Sequence, residues 1–116
     1  RIRAGGAGIG GFYTPTGVGT VVEEGKETRV IDGKKYLFEK PLRANVALVK
    51  AWKADTMGNA VFKYTAANFN PLMAMAADIV ILEAEEVVQP GEIEPDHVQL
   101  PGVFVDYVVL AKEVVF

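Results

Sequence analysis

Residues 4–20 read AGGAGIGGFYTPTGVGT and hold the residues best suited to chemistry. Closely spaced glycines let backbone N–H groups approach a ligand with no Cβ in the way. Such donors can hold a phosphate or a developing oxyanion. Gly6-x-Gly8-x-x-Gly11 resembles a dinucleotide fingerprint, which needs a strand before it and a helix after it. Pro15 follows closely and argues against that helix. No Gly-Lys-Ser/Thr occurs, so a Walker-type phosphate loop is absent. A purely structural turn stays open as the plain reading.

Other candidates are thinner. Glu23-Glu24-Gly25 is best read as a charged turn leading into a hairpin. His97 is the single histidine and lies in an acidic, proline-punctuated stretch, which suits a surface residue. One histidine and no cysteine make a zinc site improbable. Glu83, Glu85, Glu86, Glu92, Glu94 and Asp96 match no calcium loop and read as a solvated acidic rim. Lys50, Trp52 and Lys53 end an apolar run, where strand ends of α/β sheets often face a ligand. Asn68 and Asn70 suit loop and cap positions.

These residues need elements to position them. The chain has 116 residues, half of them hydrophobic and 23% charged, enough for one small domain with a core. Its formal net charge is −3, which offers no basic patch for nucleic acid or an anionic membrane. The apolar stretches Ile79 to Leu82 and Val103 to Val105 are too short to span a bilayer. No signal peptide is visible, and a cytoplasmic protein is expected. The chain starts at Arg1, directly before the glycines, which suggests a start inside an element.

Seven glycines and one proline in residues 4–20 predict a long turning loop without regular helix or central strand. Asp32-Gly33 lies between two β-like runs, Thr28 to Ile31 and Lys35 to Phe38, and predicts a hairpin. Asn45 to Trp52 reads as a strand buried on both faces. A turn at Met57 to Ala60 and a short strand at Val61 to Tyr64 follow. Asn70 is expected to cap a helix with Pro71 in its first position, running over Leu72 to Ala77 and buried all round. Ile79 to Ala84 reads as another buried strand. Glu85 to Gly102 is expected to be a loop with one helical turn opened by Pro95, and Val103 to Val109 the last strand. Alternating strands and helical segments predict an α/β domain with a partly parallel sheet.

Five segments, in order, resemble the α subunit of the family I CoA-transferases, such as acetate CoA-transferase and succinyl-CoA:3-oxoacid CoA-transferase. They are GGAGIGGFYTPTGVGT, Ala47 to Asp55 (ALVKAWKAD), Thr65 to Pro71 (TAANFNP), Ala77 to Glu86 (ADIVILEAEE) and Pro101 to Asp106 (PGVFVD). Two departures stand out. Gly10-Gly11 replaces the family's usual Pro and small residue, which should loosen the loop. Ala67 stands where an Arg is common. The resemblance implies that residues 1–116 are the C-terminal half of an α-subunit domain whose N-terminal half is absent. It implies the open, largely parallel sheet with flanking helices of the CoA-transferase-like fold.

The implied reaction moves coenzyme A between short-chain carboxylic (3-oxo) acids through a glutamyl-CoA thioester. The nucleophilic glutamate is expected in the β subunit, so this chain carries no catalytic residue and is inactive alone. Gly6, Gly8, Phe12, Tyr13, Thr14, Pro15, Thr16, Gly17 and Asn68 are the expected substrate-binding residues. Coenzyme A enters as substrate; no metal and no covalently bound cofactor is expected. The implied partners are the β subunit, the N-terminal half of the α subunit, an acyl-CoA and a carboxylic acid. Two rival readings are a non-catalytic scaffold for a β-type partner and a nucleotide-binding module built on Gly6 to Gly11.

Overall fold

A computed structural model describes residues 1–112. Two sheets organise the chain. The first is a three-stranded antiparallel sheet of β1 (Phe12–Thr14), β3 (Lys34–Glu39) and β2 (Thr28–Ile31), in that order. The second contains β5 (Ala60–Val61), β4 (Ala44–Asp55), β6 (Ala77–Val88) and β7 (Tyr107–Leu110), in that order. Two helices accompany them, α1 (Ile2–Gly6) and α2 (Ala66–Met75).

The hairpin forms where Asp-Gly predicts it. Ile31 pairs with Lys34, leaving Asp32 and Gly33 as a two-residue loop at φ +50° and +78°. Two left-handed residues are what a type I′ turn requires, and their twist matches that of the flanking strands. Lys26–Glu39 (2.6 Å) and Lys35–Glu23 (3.1 Å) tie this sheet to the segment before it.

β4 and β6 run parallel over a long register, from Ala44 beside Ala77 to Asp55 beside Val88, and β7 joins β6 in the same direction. The core lies on one face of this sheet. Ala47, Val49 and Ala51 stand beside Val80, Leu82 and Ala84, with Ala74 of α2, Phe62 and Leu100 in the same buried cluster. The expectation that β4 is buried on both faces is corrected here. Its alternate residues Val46 and Leu48 are 46% and 71% exposed, because α2 covers one face alone.

Three further expectations change. Helix α2 begins at Ala66, not at Pro71. Tyr64 takes φ +53°, and the amides of Ala66 and Ala67 bond back to the carbonyls of Lys63 and Tyr64. That left-handed step also ends β5 at Val61, short of the expected Tyr64. Asn70 is therefore not a cap. Its side-chain amide donates to the Ala66 carbonyl (2.9 Å), while its oxygen accepts from the Lys50 N–H (3.0 Å) and closes part of β4's outer edge. Residues 72–77 are buried or half-buried as expected, while the added first turn is open, with Phe69 61% exposed.

The last strand starts late. Gly102–Phe104 forms a 3-10 turn, and β7 begins at Tyr107. A Cβ on Gly102 would strike the Met57 carbonyl, so the chain turns tightly against the β4–β5 connection. Asp55 fixes that connection. One of its carboxylate oxygens accepts from the Met57 and Asn59 N–H groups and the other from the Asn59 side chain. Pro95 opens a 3-10 turn that ends at His97, and β6 reaches Val88 inside the expected loop.

Residues 4–20 also contain more regular structure than their glycines suggest. Gly5 and Gly6 end α1, and Phe12–Thr14 is a strand. The glycines serve packing. A Cβ at Gly5 would collide with the Leu42 carbonyl, and one at Gly6 would lie 2.9 Å from the Met75 Cβ. Arg43 seals the contact, donating to the Gly5 carbonyl (2.9 Å) and pairing with Asp78 (3.3 Å). Among the described residues no helix is long and apolar enough to cross a membrane.

Candidate functional site

An open groove of about 870 Å³ lies where α1, β1 and the first turns of α2 meet. Its lining includes Arg1, Arg3, Phe12, Leu42, Asn68 and Phe69. Two expected site residues, Phe12 and Asn68, thus come together across some fifty-odd positions of sequence. The reason is topological. α1 packs on α2, and β1 leaves α1 through a glycine-rich turn whose Gly8 has φ +72°.

Strand alternation divides the aromatic pair. Phe12 turns toward the groove, and Tyr13 turns onto the hairpin sheet. The Tyr13 ring packs 5.3 Å from that of Phe38, and the Arg29 guanidinium sits over it at 5.2 Å. Its hydroxyl donates to Glu27 Oε1 (2.8 Å), and this hydrogen bond raises the phenol's pKa above its ordinary value. Tyr13 thereby packs on the sheet and stands outside the groove lining.

Thr14 to Gly17 also stand outside the groove lining. The Thr16 N–H donates to Thr14 Oγ1 (3.2 Å), and the Thr20 hydroxyl donates to the Gly17 carbonyl (2.6 Å). Pro15 accepts from the Val18 N–H (3.2 Å). Gly17 has φ +90°, and a Cβ there would press on Val22 at 3.0 Å. Residues 14–20 therefore form a self-bonded turn leaning on the hairpin. Gly6 is packed against Met75, and Gly8 faces open space.

The groove is lined mostly by apolar residues, with Arg1 and Arg3 among the lining. Arg1 Nε donates to the Lys40 carbonyl (2.8 Å), which anchors one of them. Arginine pairs of this kind favour a carboxylate or phosphate at the mouth. The lining side chains include no carboxylate, hydroxyl or thiol.

The weaker candidates find structural places. Glu23 pairs with Lys35, at the foot of the hairpin. His97 is exposed in its 3-10 turn. Among the described residues no group of three acidic or histidine side chains is placed to hold a metal. Lys53 and Lys63 lie over the Trp52 ring at 4.5 and 4.1 Å, and Lys53 reaches Glu86 at 3.6 Å. Sequence reasoning missed Arg1, Arg3, Leu42 and Phe69. The NFNP motif could have pointed to Phe69, since an aromatic beside Asn68 on a first helical turn shares its surroundings.

The chain is similar to known proteins over nearly its whole length. A family model described as coenzyme A transferase matches residues 1–111. The alpha subunit of the acetate CoA-transferase of Escherichia coli K12 is 55% identical over 113 residues, covering 97% of this chain and 51% of that one. The matching subunit of the succinyl-CoA:3-ketoacid coenzyme A transferase of Xanthomonas campestris pv. campestris strain B100 is 62% identical over 110 residues. That match covers 95% of this chain and 46% of the relative. The chain spans about half the length of these curated relatives. Among solved structures, an acyl-CoA transferase of E. coli O157:H7, crystallised as a thioester complex with CoA, superposes with a TM-score of 0.84. It is 26% identical and covers 95% of this chain and 25% of that one.

Proposed function

Because this chain belongs to the coenzyme A transferase family, we propose that it is the C-terminal half of the α subunit of a heteromeric enzyme that moves coenzyme A between short-chain 3-oxo acids. The observation that carries the reading is the groove. Its lining brings Phe12 and Asn68 together with Arg1 and Arg3 and includes no carboxylate, hydroxyl or thiol.

The reaction divides accordingly. A carboxylate oxygen of the β subunit's glutamate adds to the acyl carbonyl of the donor, and the CoA thiolate leaves, so a mixed anhydride remains. The thiolate then adds to the glutamyl carbonyl. The donor carboxylate departs and the glutamyl-CoA thioester is left. The acceptor acid reverses these steps. In this scheme the groove holds the apolar acyl part against Phe12 and Leu42. The arginines hold the carboxylate end, and Asn68 supplies a polar contact between them. Binding in a fixed pose converts the transfer into an effectively unimolecular step. Coenzyme A is the substrate, and the proposed location is the cytoplasm.

The test is thioester trapping. A mixture of this chain, its complementary α half and a β subunit is treated with acyl-CoA and then borohydride, which reduces the glutamyl thioester. The reduced residue is expected on the β polypeptide, with no turnover from the 116-residue chain alone. Trapping on a glutamate of this chain, Glu23 or Glu24 included, overturns the reading. A reconstituted assembly that binds β and never forms the thioester favours the scaffold alternative.

A further inference from the structure

Gly11 is the last residue before β1, and a Cβ on it would run into the tip of the Phe38 ring, Cζ first. The register explains the contact. Tyr13 and Phe38 stand directly opposite each other on β1 and β3, so they share a face of the small sheet. Gly11 lies two residues before Tyr13 and therefore on that same face. The Phe38 ring covers the space that a side chain at residue 11 would take. An aromatic leaning over a cross-strand glycine is a recurring way to fill such a gap.

Phe12 points the other way. Strand alternation sends it to the opposite face, where it lines the groove. The start of β1 is thus a thin partition, with the Phe38 ring behind it and the Phe12 ring in front. A displacement on one side must reach the other, because packed side chains hardly compress.

The two sides of this partition are not equally firm. Phe38 is backed by the Tyr13 ring at 5.3 Å. Tyr13 is held in turn by its hydrogen bond to Glu27 (2.8 Å) and by the Arg29 guanidinium over its ring at 5.2 Å. β3 is the central strand of its sheet, paired on both sides. β1 is three residues long and lies at the edge of that sheet. Gly8 and Gly10, just before it, have nothing within 4 Å of where a Cβ would stand. A push between residues 11 and 38 therefore moves the start of β1, and Phe12 with it.

We propose that Phe38 is a positioning residue for the acyl end of the groove: by resting on Gly11 it sets how far Phe12 enters. This deepens the proposed reaction and rests on the groove being its acyl site. Phe38 touches no substrate in this scheme; it selects among acyl chains through Phe12. Glycine and aromatic form one steric unit across the strands, so substitutions at the two positions compensate each other.

The experiment uses the reconstituted assembly of this chain, its complementary α half and a β subunit. The ratio of kcat/KM for a short and a long acyl-CoA is measured for the parent, Gly11→Ala, Phe38→Leu and the double variant. Gly11→Ala forces the start of β1 toward the groove, so preference should move toward the short donor by about tenfold. Phe38→Leu removes the ring tip, lets β1 recede and should move preference toward the long donor. In the double variant the added methyl meets the vacated space, and the ratio should return to within about twofold of the parent's. Lys35→Gln breaks the ion pair with Glu23 in the same sheet. It should lower the melting temperature and leave the ratio unchanged, which separates loss of stability from loss of position. Crystal structures of the parent, single and double variants read the place of the Phe12 ring without turnover. An assembly that forms no glutamyl thioester would sink the proposed reaction. A Phe12 ring that moves in Gly11→Ala and returns in the double variant would still uphold the positioning role. The proposal is overturned by a Phe12 ring that stays in place in Gly11→Ala, by a donor ratio unmoved in both single variants, or by a double variant no nearer the parent than either single one.

Discussion

Phe12 and Tyr13 adjoin in sequence and serve different ends, one in the groove and one on the hairpin sheet. Deleting the Phe12 ring enlarges the groove at the end proposed to hold the acyl group, without touching the Tyr13–Glu27 bond. Phe12→Ala is expected to shift kcat/KM toward longer acyl donors by about tenfold in the reconstituted enzyme, measured with a short and a long acyl-CoA. An unchanged ratio would place acyl selection elsewhere. Glu39 makes a different, pH-dependent prediction. Its hydrogen bond to Lys26 holds its carboxyl below the ordinary value of 4.5. A carboxyl depressed by folding contributes stability above its unfolded value and loses it as pH falls through the folded one. The melting temperature of Glu39→Gln should therefore lie below the parent's at pH 7, and the gap should close as pH drops below about 4.5. A gap that widens in acid would contradict the ion pair's role. At this scale the site was partly legible. Phe12 and Asn68 stood out by type and neighbourhood, whereas the expected glycines lie outside the groove lining and Leu42 and Phe69 join it through packing that no local pattern encodes.

Among the elements, the hairpin was the easiest to read, because Asp32-Gly33 can hardly serve another geometry between two β-prone runs. β4 and β6 were legible as apolar runs for the same local reason. Helix α2 was misplaced because Asn70-Pro71 imitates a start signal. The true start depends on the left-handed Tyr64 and on a strand edge that uses Asn70 for another purpose. That purpose can be measured. Asn70 joins α2 to β4 by accepting from the Lys50 N–H and donating to the Ala66 carbonyl. Asn70→Ala removes both bonds and is expected to cost about 1–3 kcal/mol, seen as a lowered denaturation midpoint with an unchanged slope. Asn70→Asp, which keeps the acceptor, should recover part of the loss. Equal stability of all three forms would make the bridge incidental.

The whole molecule explains the one reading of β4 that the structure reversed. Its sequence is apolar on both faces, as a doubly covered parallel strand should be, yet one face is bare in residues 1–112. Without its complement, the chain should self-associate with rising concentration and bind a hydrophobic dye. Adding the complementary half should abolish both. A monodisperse chain that ignores the dye across the micromolar range would contradict this. The Asp32–Gly33 turn has a last consequence, in time rather than in space. Its pairing is local, so β2 and β3 can close within about 1–10 μs. β4 and β6 cannot meet until the intervening residues 56–76 have been threaded back along them, and such non-local closure is slow. The β2–β3 hairpin is thus closed while the large sheet is still open. A nascent chain passes through a stage in which its β4 strand is made, apolar on both sides and unpaired. During that interval the molecule is most exposed to capture by chaperones or by its own kind.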